Sequence, residues 1–250
     1  MNAPLPTRRD EAWRYADLKA LETVWPTLTG PEHIHVPAGE TISRQIVELP
    51  VVDGVGVVDL DVTIGDNATF KIHLLAHNAD YGRIQVKATL GNSSHFELGG
   101  AILGNGSQTL EIVTETIHAE PNATSNQVVR SVLAGKATGS FLGKINVARH
   151  AQKTDAAQSV KAMLLDRGAT ANAKPELEIF ADDVKCAHGA TVGELDKQAL
   201  FYMASRGIDP ATAQKLMLQA FIADAFVSMD DDAAREVIEG KALEVLGALS

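Results

Sequence analysis

From about Glu32 to Phe180 apolar and polar positions alternate in short runs, as in Phe70-Lys71-Ile72-His73-Leu74 and Arg83-Ile84-Gln85-Val86-Lys87. A period of two is what a strand with one buried face requires. Turn signals interrupt the runs roughly every dozen residues: Gly65-Asp66-Asn67, His77-Asn78-Ala79-Asp80, Gly91-Asn92, Gly104-Asn105-Gly106, Pro121-Asn122 and Ala134-Gly135. Such spacing fits an all-β sandwich, a barrel or a β-solenoid. No helix-length stretch of 3.6 period intervenes, which argues against βαβ units. Asn and Gly recur where a tight corner needs a positive φ, and this favours the solenoid over the sandwich.

The flanks read differently. Residues 7–24 carry Trp13, Tyr15, Leu18 and Leu21 on a helical spacing, with Thr7 as a candidate N-cap and Trp25-Pro26 as the stop. Trp13 and Tyr15 are expected to be packing anchors. After the β-rich body, Asp196 can cap a helix to Arg206, with Gly207 just beyond it. Asp209-Pro210 opens a second helix with Ala213, Leu216, Met217, Ala220, Phe221 and Ala225 as its apolar stripe. The acidic run Met229-Asp230-Asp231-Asp232 precedes a third, carrying Val237, Ile238, Leu243 and Leu246. The chain therefore divides into an N-terminal helical segment (1–31), a β core (32–195) and a C-terminal helical region (196–250), whose stripes are internal core or a docking face.

Composition narrows the function. A net charge of −10 argues against binding a phosphate backbone, and 5% aromatic residues against a stacking surface for single strands. No apolar run approaches the roughly 20 residues that span a bilayer, and residues 1–17 lack the apolar stretch of a secretory signal, so a cytoplasmic location is expected. Four Asn-x-Ser/Thr matches, at Asn67, Asn92, Asn105 and Asn122, then read as turn residues. The sequence holds no phosphate-binding loop, no Gly-x-Ser-x-Gly elbow, no His-Glu-x-x-His and no Cys-x-x-Cys.

The distinctive chemistry sits in Lys185-Cys186-Ala187-His188-Gly189-Ala190-Thr191-Val192-Gly193, which holds the single cysteine. In an extended segment Cys186 and His188 project on one face. One thiol and one imidazole are too few for a closed metal site, so any missing ligands would come from a partner; the plain alternative is a cysteine packed as a small apolar residue. His73, His95 and His118 could stack on one face of a solenoid, or could each be hydrogen-bonded singly. His150 reads as a loop residue.

Several separated segments carry a family resemblance. They are Gly143-Lys144-Ile145-Asn146-Val147, Ala151 to Gln158, Lys174-Pro175-Glu176-Leu177-Glu178-Ile179, Asp182 to Gly193, Leu200-Phe201-Tyr202, Ser205-Arg206-Gly207-Ile208 and Ala220-Phe221. In this order they resemble the SufB/SufD family of iron–sulfur cluster assembly proteins, and Glu11 to Leu18 looks like its entry motif. Within the family the chain resembles the SufD side: Gly189 follows His188 where SufB-like chains carry a glutamate, and no second cysteine occurs. Relative to that type, much of the helical region between the entry motif and the β body is expected to be missing.

The resemblance implies a mainly β fold, a right-handed parallel β-helix flanked by helical segments. It implies a non-enzymatic scaffold subunit that pairs with SufB, binds the ATPase SufC through the C-terminal helices, and is linked to iron acquisition. The family's histidine at the SufB interface carries over to His188, and its motif cysteine to Cys186. Phe201, Tyr202, Arg206 and Gly207 are the candidates for the SufC side. No cofactor would be held by this chain alone; iron or an iron–sulfur cluster would be shared transiently with SufB, with His188 as this chain's ligand. In isolation a homodimer is the candidate assembly, and neither nucleic acid nor membrane is an expected partner. Two rival readings are a polysaccharide-active β-helix enzyme and a Cys–His nucleophilic enzyme.

Overall fold

Thr41, Thr69, His95, Thr124, Asp155 and Lys185 stand side by side, one from each of six parallel strands. This is the register of a coil that returns to the same edge after every circuit. The computed structural model describes residues 4–249; Met1 to Ala3 and Ser250, which fall in the outer two sequence-derived segments, lie outside the described residues.

The strands are β1 (Glu32–Val36), β2 (Thr41–Ile46), β3 (Val51–Val52), β4 (Val55–Ile64), β5 (Thr69–Ala76), β6 (Tyr81–Leu90), β7 (His95–Gly104), β8 (Thr109–His118), β9 (Thr124–Leu133), β10 (Thr138–Val147), β11 (Asp155–Leu164), β12 (Thr170–Ile179) and β13 (Lys185–Gly193). They alternate between two sheets. Sheet A runs β1-β4-β6-β8-β10-β12, with the short β3 antiparallel to β4; sheet B runs β13-β11-β9-β7-β5-β2. On sheet A, Val55 lies beside Tyr81, Tyr81 beside Thr109, Thr109 beside Thr138 and Thr138 beside Thr170, so each coil takes 26 to 32 residues. The architecture is the parallel β-solenoid that the alternation and the corners favour over a sandwich.

One column of corners explains the recurrent turn signals. Gly39, Asn67, Ser93, Asn122 and Lys153 all have positive φ and stack along the coil axis. Backbone amides tie the stack: Asn67 N–H donates to Asn92 O at 2.8 Å, Ser93 N–H to Pro121 O at 3.0 Å, and Asn122 N–H to Gln152 O at 2.9 Å. Gly and Asn enter this left-handed region at least cost. Ser93 and Lys153 adopt it because their neighbours in the stack impose it.

The main core lies between the sheets, where Leu60, Phe70, Ile72, Leu74, Ile84, Phe96 and Leu98 are buried. Phe70 and Phe96 stack in adjacent coils, with centroids 6.3 Å apart and planes 6° off parallel. Toward the last coils this core turns polar, with Gln127, His118, Ser125 and Gln158 buried inside.

The N-terminal segment is a 3₁₀ turn (Glu11–Trp13) and a short helix α1 (Leu18–Val24), followed by a 3₁₀ turn (Trp25–Thr27). The single helix expected over 7–24 is thus two pieces, and its cap is Asp17, which accepts from the amides of Lys19 and Ala20; Thr7 is no cap. The break places Trp13 over sheet A, where its ring meets Trp25 edge-on and covers the Arg83 guanidinium at 3.7 Å.

Three helices follow the solenoid: α2 (Lys197–Ser205), α3 (Pro210–Ala223) and α4 (Asp232–Gly247), capped by Asp196, Asp209 and Asp231. The α3–α4 pair lies on the outer face of sheet B, where Leu218, Ile222, Phe226, Ile238 and Leu246 cover Leu75, Ala101, Leu103 and Val132. The stripe drawn from sequence holds at Ala213, Ala225, Ile238 and Leu246, which are buried, but it missed the buried Leu218 and Ile222 and included Leu216 and Val237, which face solvent. Both faces of these helices are rich in apolar residues, so periodicity alone does not choose between them.

Candidate functional site

The Cys186–His188 segment is β13, the last strand of sheet B. Among the described residues it pairs only with β11, placing Cys186 beside Ala156 and His188 beside Gln158. Cys186 points into the coil, where it packs with Ile145, Val147, Ala151 and Ala156. His188 has the same parity, so it lies on the same face of the strand. β12, which faces it across the coil, is itself the last strand of sheet A among the described residues, and the His188 side chain is exposed. Around it the solenoid ends in an open mouth. Among the described residues the outer edges of β12 and β13 have no partner strand, and Ile179, Phe180 and Val192 are exposed beside them. An uncapped parallel edge rimmed by apolar side chains is a surface made to be covered.

The electrostatics at the mouth are those of a neutral thiol. Burial pushes the Cys186 thiol above its ordinary value, and the Asp155 carboxylate beside it adds to the effect. A nucleophilic cysteine needs the opposite surroundings. Among the described residues no three His, Cys, Asp or Glu side chains gather as a metal-holding group. The two donors at the mouth are thus half a coordination sphere at most.

The histidines proposed as a stack are separated. His73 and His95 lie on the outer face of sheet B, where they bond Ser228 and Thr124 at 3.0 and 2.7 Å. His118 is inside, against Ser125 at 2.9 Å. His118 belongs to sheet A and the other two to sheet B, where His95 is in register with Thr69, four positions from His73. His150 sits in an exposed turn near Glu120, as expected of a loop residue.

The carboxylates that a polysaccharide-active reading needs border a groove of about 230 Å³ on the outer face of sheet A, floored by Val113 and Leu142. Glu11 and Glu176 there are paired with Lys174, and Glu115 accepts from Asn146. The Lys174 ammonium holds Glu11 below the usual carboxylate range. Glu11 is therefore not a carboxyl kept protonated for acid catalysis.

The second set of candidates lies on and just past α2, which is separated from the end of β13 by three residues. Phe201 is 77% and Tyr202 58% exposed, no α2 residue is buried, and the Arg206 guanidinium sits 5.2 Å from the Tyr202 ring centroid. Gly207 ends the helix at φ +82°.

Residues 50–221 match the family described as "SUF system FeS cluster assembly, SufBD core domain". The chain belongs to the SufB/SufD family. Among its relatives, the iron–sulfur cluster assembly protein SufD of Escherichia coli is 39% identical over 121 residues, covering 48% of this chain and 29% of that protein. The SufD of Bacillus subtilis is 30% identical over 133 residues, covering 53% and 30%. A SufBD family protein of Mycobacterium bovis is 28% identical over 265 residues, covering 88% and 66%. The chain thus spans under a third of the first two relatives' length. The SufD names agree with the SufD-type features of the sequence, Gly189 after His188 and a lone cysteine.

What the sequence reading missed is Gln158. It is buried beside His188 in register, and its place in the motif Ala151 to Gln158 was the available signal.

Proposed function

We propose that this SUF-system protein is a non-enzymatic scaffold subunit that pairs with a SufB-type chain at its open mouth and docks the ATPase SufC on α2. The observation that carries the reading is the mouth itself: one imidazole and one thiol on a free strand edge, ringed by Ile179, Phe180 and Val192. Two donors cannot hold iron or a nascent cluster alone, so the cargo would be shared with ligands of the partner. His188 is the donor that this chain contributes. Cys186, packed inward and protonated, supports the strand and gives up its proton only when a metal replaces it.

On α2, Phe201 and Tyr202 present an exposed aromatic pair, with the Arg206 guanidinium against the Tyr202 ring. Exposed aromatics flanked by an arginine are the usual anchors of a protein interface. The α3–α4 pair behind them is welded to sheet B, so a partner bound at α2 grips a rigid body.

Co-expression with the SufB and SufC of the same organism tests the reading. A three-component complex that assembles clusters anaerobically and loses that activity in His188→Ala, with the complex intact, supports it. A chain that binds neither partner would overturn it. Phe201→Ala with Tyr202→Ala should weaken SufC binding by tenfold or more while leaving the SufB pairing unchanged, as expected for hot-spot aromatics.

A further inference from the structure

Gln158 of β11 is 2% exposed, and neither its amide nitrogen nor its carbonyl oxygen has a hydrogen-bond partner. A buried carboxamide with nothing to bond is costly and calls for a reason. One coil earlier the same column holds Gln127, beside Gln158 in register and just as buried. Gln127 is fully used: its Oε1 accepts from Thr114 at 2.7 Å, and its Nε2 donates to Thr116 at 3.0 Å. Both hydroxyls come from β8 across the core. In the next coil β10 puts Gly143 and Ile145 at those two register positions. Gly143 leaves room for the amide, since a Cβ there would come within 2.6 Å of Gln158 Nε2, but offers no hydroxyl. The polar side chain that remains on the same face is His188, in register on the adjoining strand about 4.8 Å away.

We infer that Gln158 is a positioning residue for His188. The inference rests on the reading that His188 is the donor offered to the shared cargo. While the mouth is open, water serves the exposed imidazole. When a partner covers the mouth that water leaves, and the Gln158 carbonyl oxygen accepts from the ring N–H that faces it. The bond fixes one tautomer and leaves the other ring nitrogen unprotonated and pointing at the partner, which is the arrangement a metal-binding histidine needs.

The test uses the complex with SufB and SufC in which only this chain carries ¹⁵N-histidine, read by magic-angle-spinning NMR. The His188 signals are those lost in His188→Ala. The expected result is a single tautomer in the wild type, a mixture of two in Gln158→Leu with assembly slowed about tenfold, and a return to one tautomer in Gln158→Glu, which keeps an acceptor oxygen. A mixture already present in the wild-type complex would overturn the inference. So would slowed assembly in Gln158→Leu with the tautomer unchanged, since that is the mark of a merely structural residue. Unimpaired assembly in His188→Ala would instead sink the donor reading on which the inference stands.

Discussion

The carbonyl oxygen of Ala225, just past α3, lies so close to Gly99 of β7 that a Cβ built on Gly99 would stand 1.9 Å from it. The helical pair is thereby seated directly on the backbone of sheet B. Polar bonds flank the seat: Arg130 donates to Asp224 at 2.6 and 2.8 Å, Lys71 pairs with Asp230 at 2.5 Å, and His73 bonds Ser228. Gly99→Ala must push the Ala225 segment outward. It should cost about 1–3 kcal/mol in urea unfolding and open the segment around 225–230 to protease. Unchanged stability and protease resistance would show that the helices do not depend on this contact.

A second relationship concerns the N-terminal segment. Arg83 and Glu111 form an ion pair 2.6 Å long with no exposure, roofed by Trp13. Removing one partner strands a buried charge, so Glu111→Ala should cost about 3–5 kcal/mol. Replacing both, as Arg83→Met with Glu111→Leu, should recover most of that loss. Denaturant midpoints of the three variants decide it.

Acid should weaken the fold before the carboxylates titrate. Burial lowers His73 and His118 to about 4, whereas unfolded histidine titrates near 6.5. The unfolded chain therefore binds more protons between these values, so stability is full above pH 6.5 and falls as pH drops toward 4. Each ring contributes up to about 3 kcal/mol of that fall. His118→Gln should flatten the profile of unfolding free energy between pH 6.5 and 4. An equally steep profile would assign the loss to other groups.

Cys186 should be a slow thiol. Its raised pKa leaves less thiolate at neutral pH than a free cysteine has. Iodoacetamide should label it more slowly than it labels glutathione at pH 7.5, with the rate still rising above pH 9. Labelling faster than glutathione would revive a Cys–His nucleophile.

The corner column offers a stabilising change. Ser93 holds φ +54° in a stack whose neighbours on either side are Asn67 and Asn122. Asn tolerates that region better than Ser, so Ser93→Asn should gain about 0.5–1 kcal/mol, and Ser93→Val should lose at least as much. Thermal unfolding of the pair checks both signs.

Much of the fold was legible in the chain because a coil repeats its physics. Alternation fixed each strand's two faces, and Asn67, Asn122, Gly106 and Gly135 marked corners that need positive φ. Asp196 and Asp209 announced helix starts, and the acidic run 229–232 the region of the third, since a carboxylate before a helical run satisfies the first free amides; within that run the cap is Asp231. The pairing of Cys186 with His188 on one face followed from their spacing alone.

Distances across coils were not legible, because they depend on register. No local pattern says that Gln158 lies beside His188, or that Gly143 and Ile145 replace the hydroxyls that satisfy Gln127. Nor does periodicity say which face of α3 and α4 is buried when apolar residues lie on several, or that these helices cover β5, β7 and β9. The sequence by itself determined local conformation, through φ preferences, caps and the period of two. The tertiary structure decided which side chains meet, because each coil of 26 to 32 residues brings together groups that are remote along the chain.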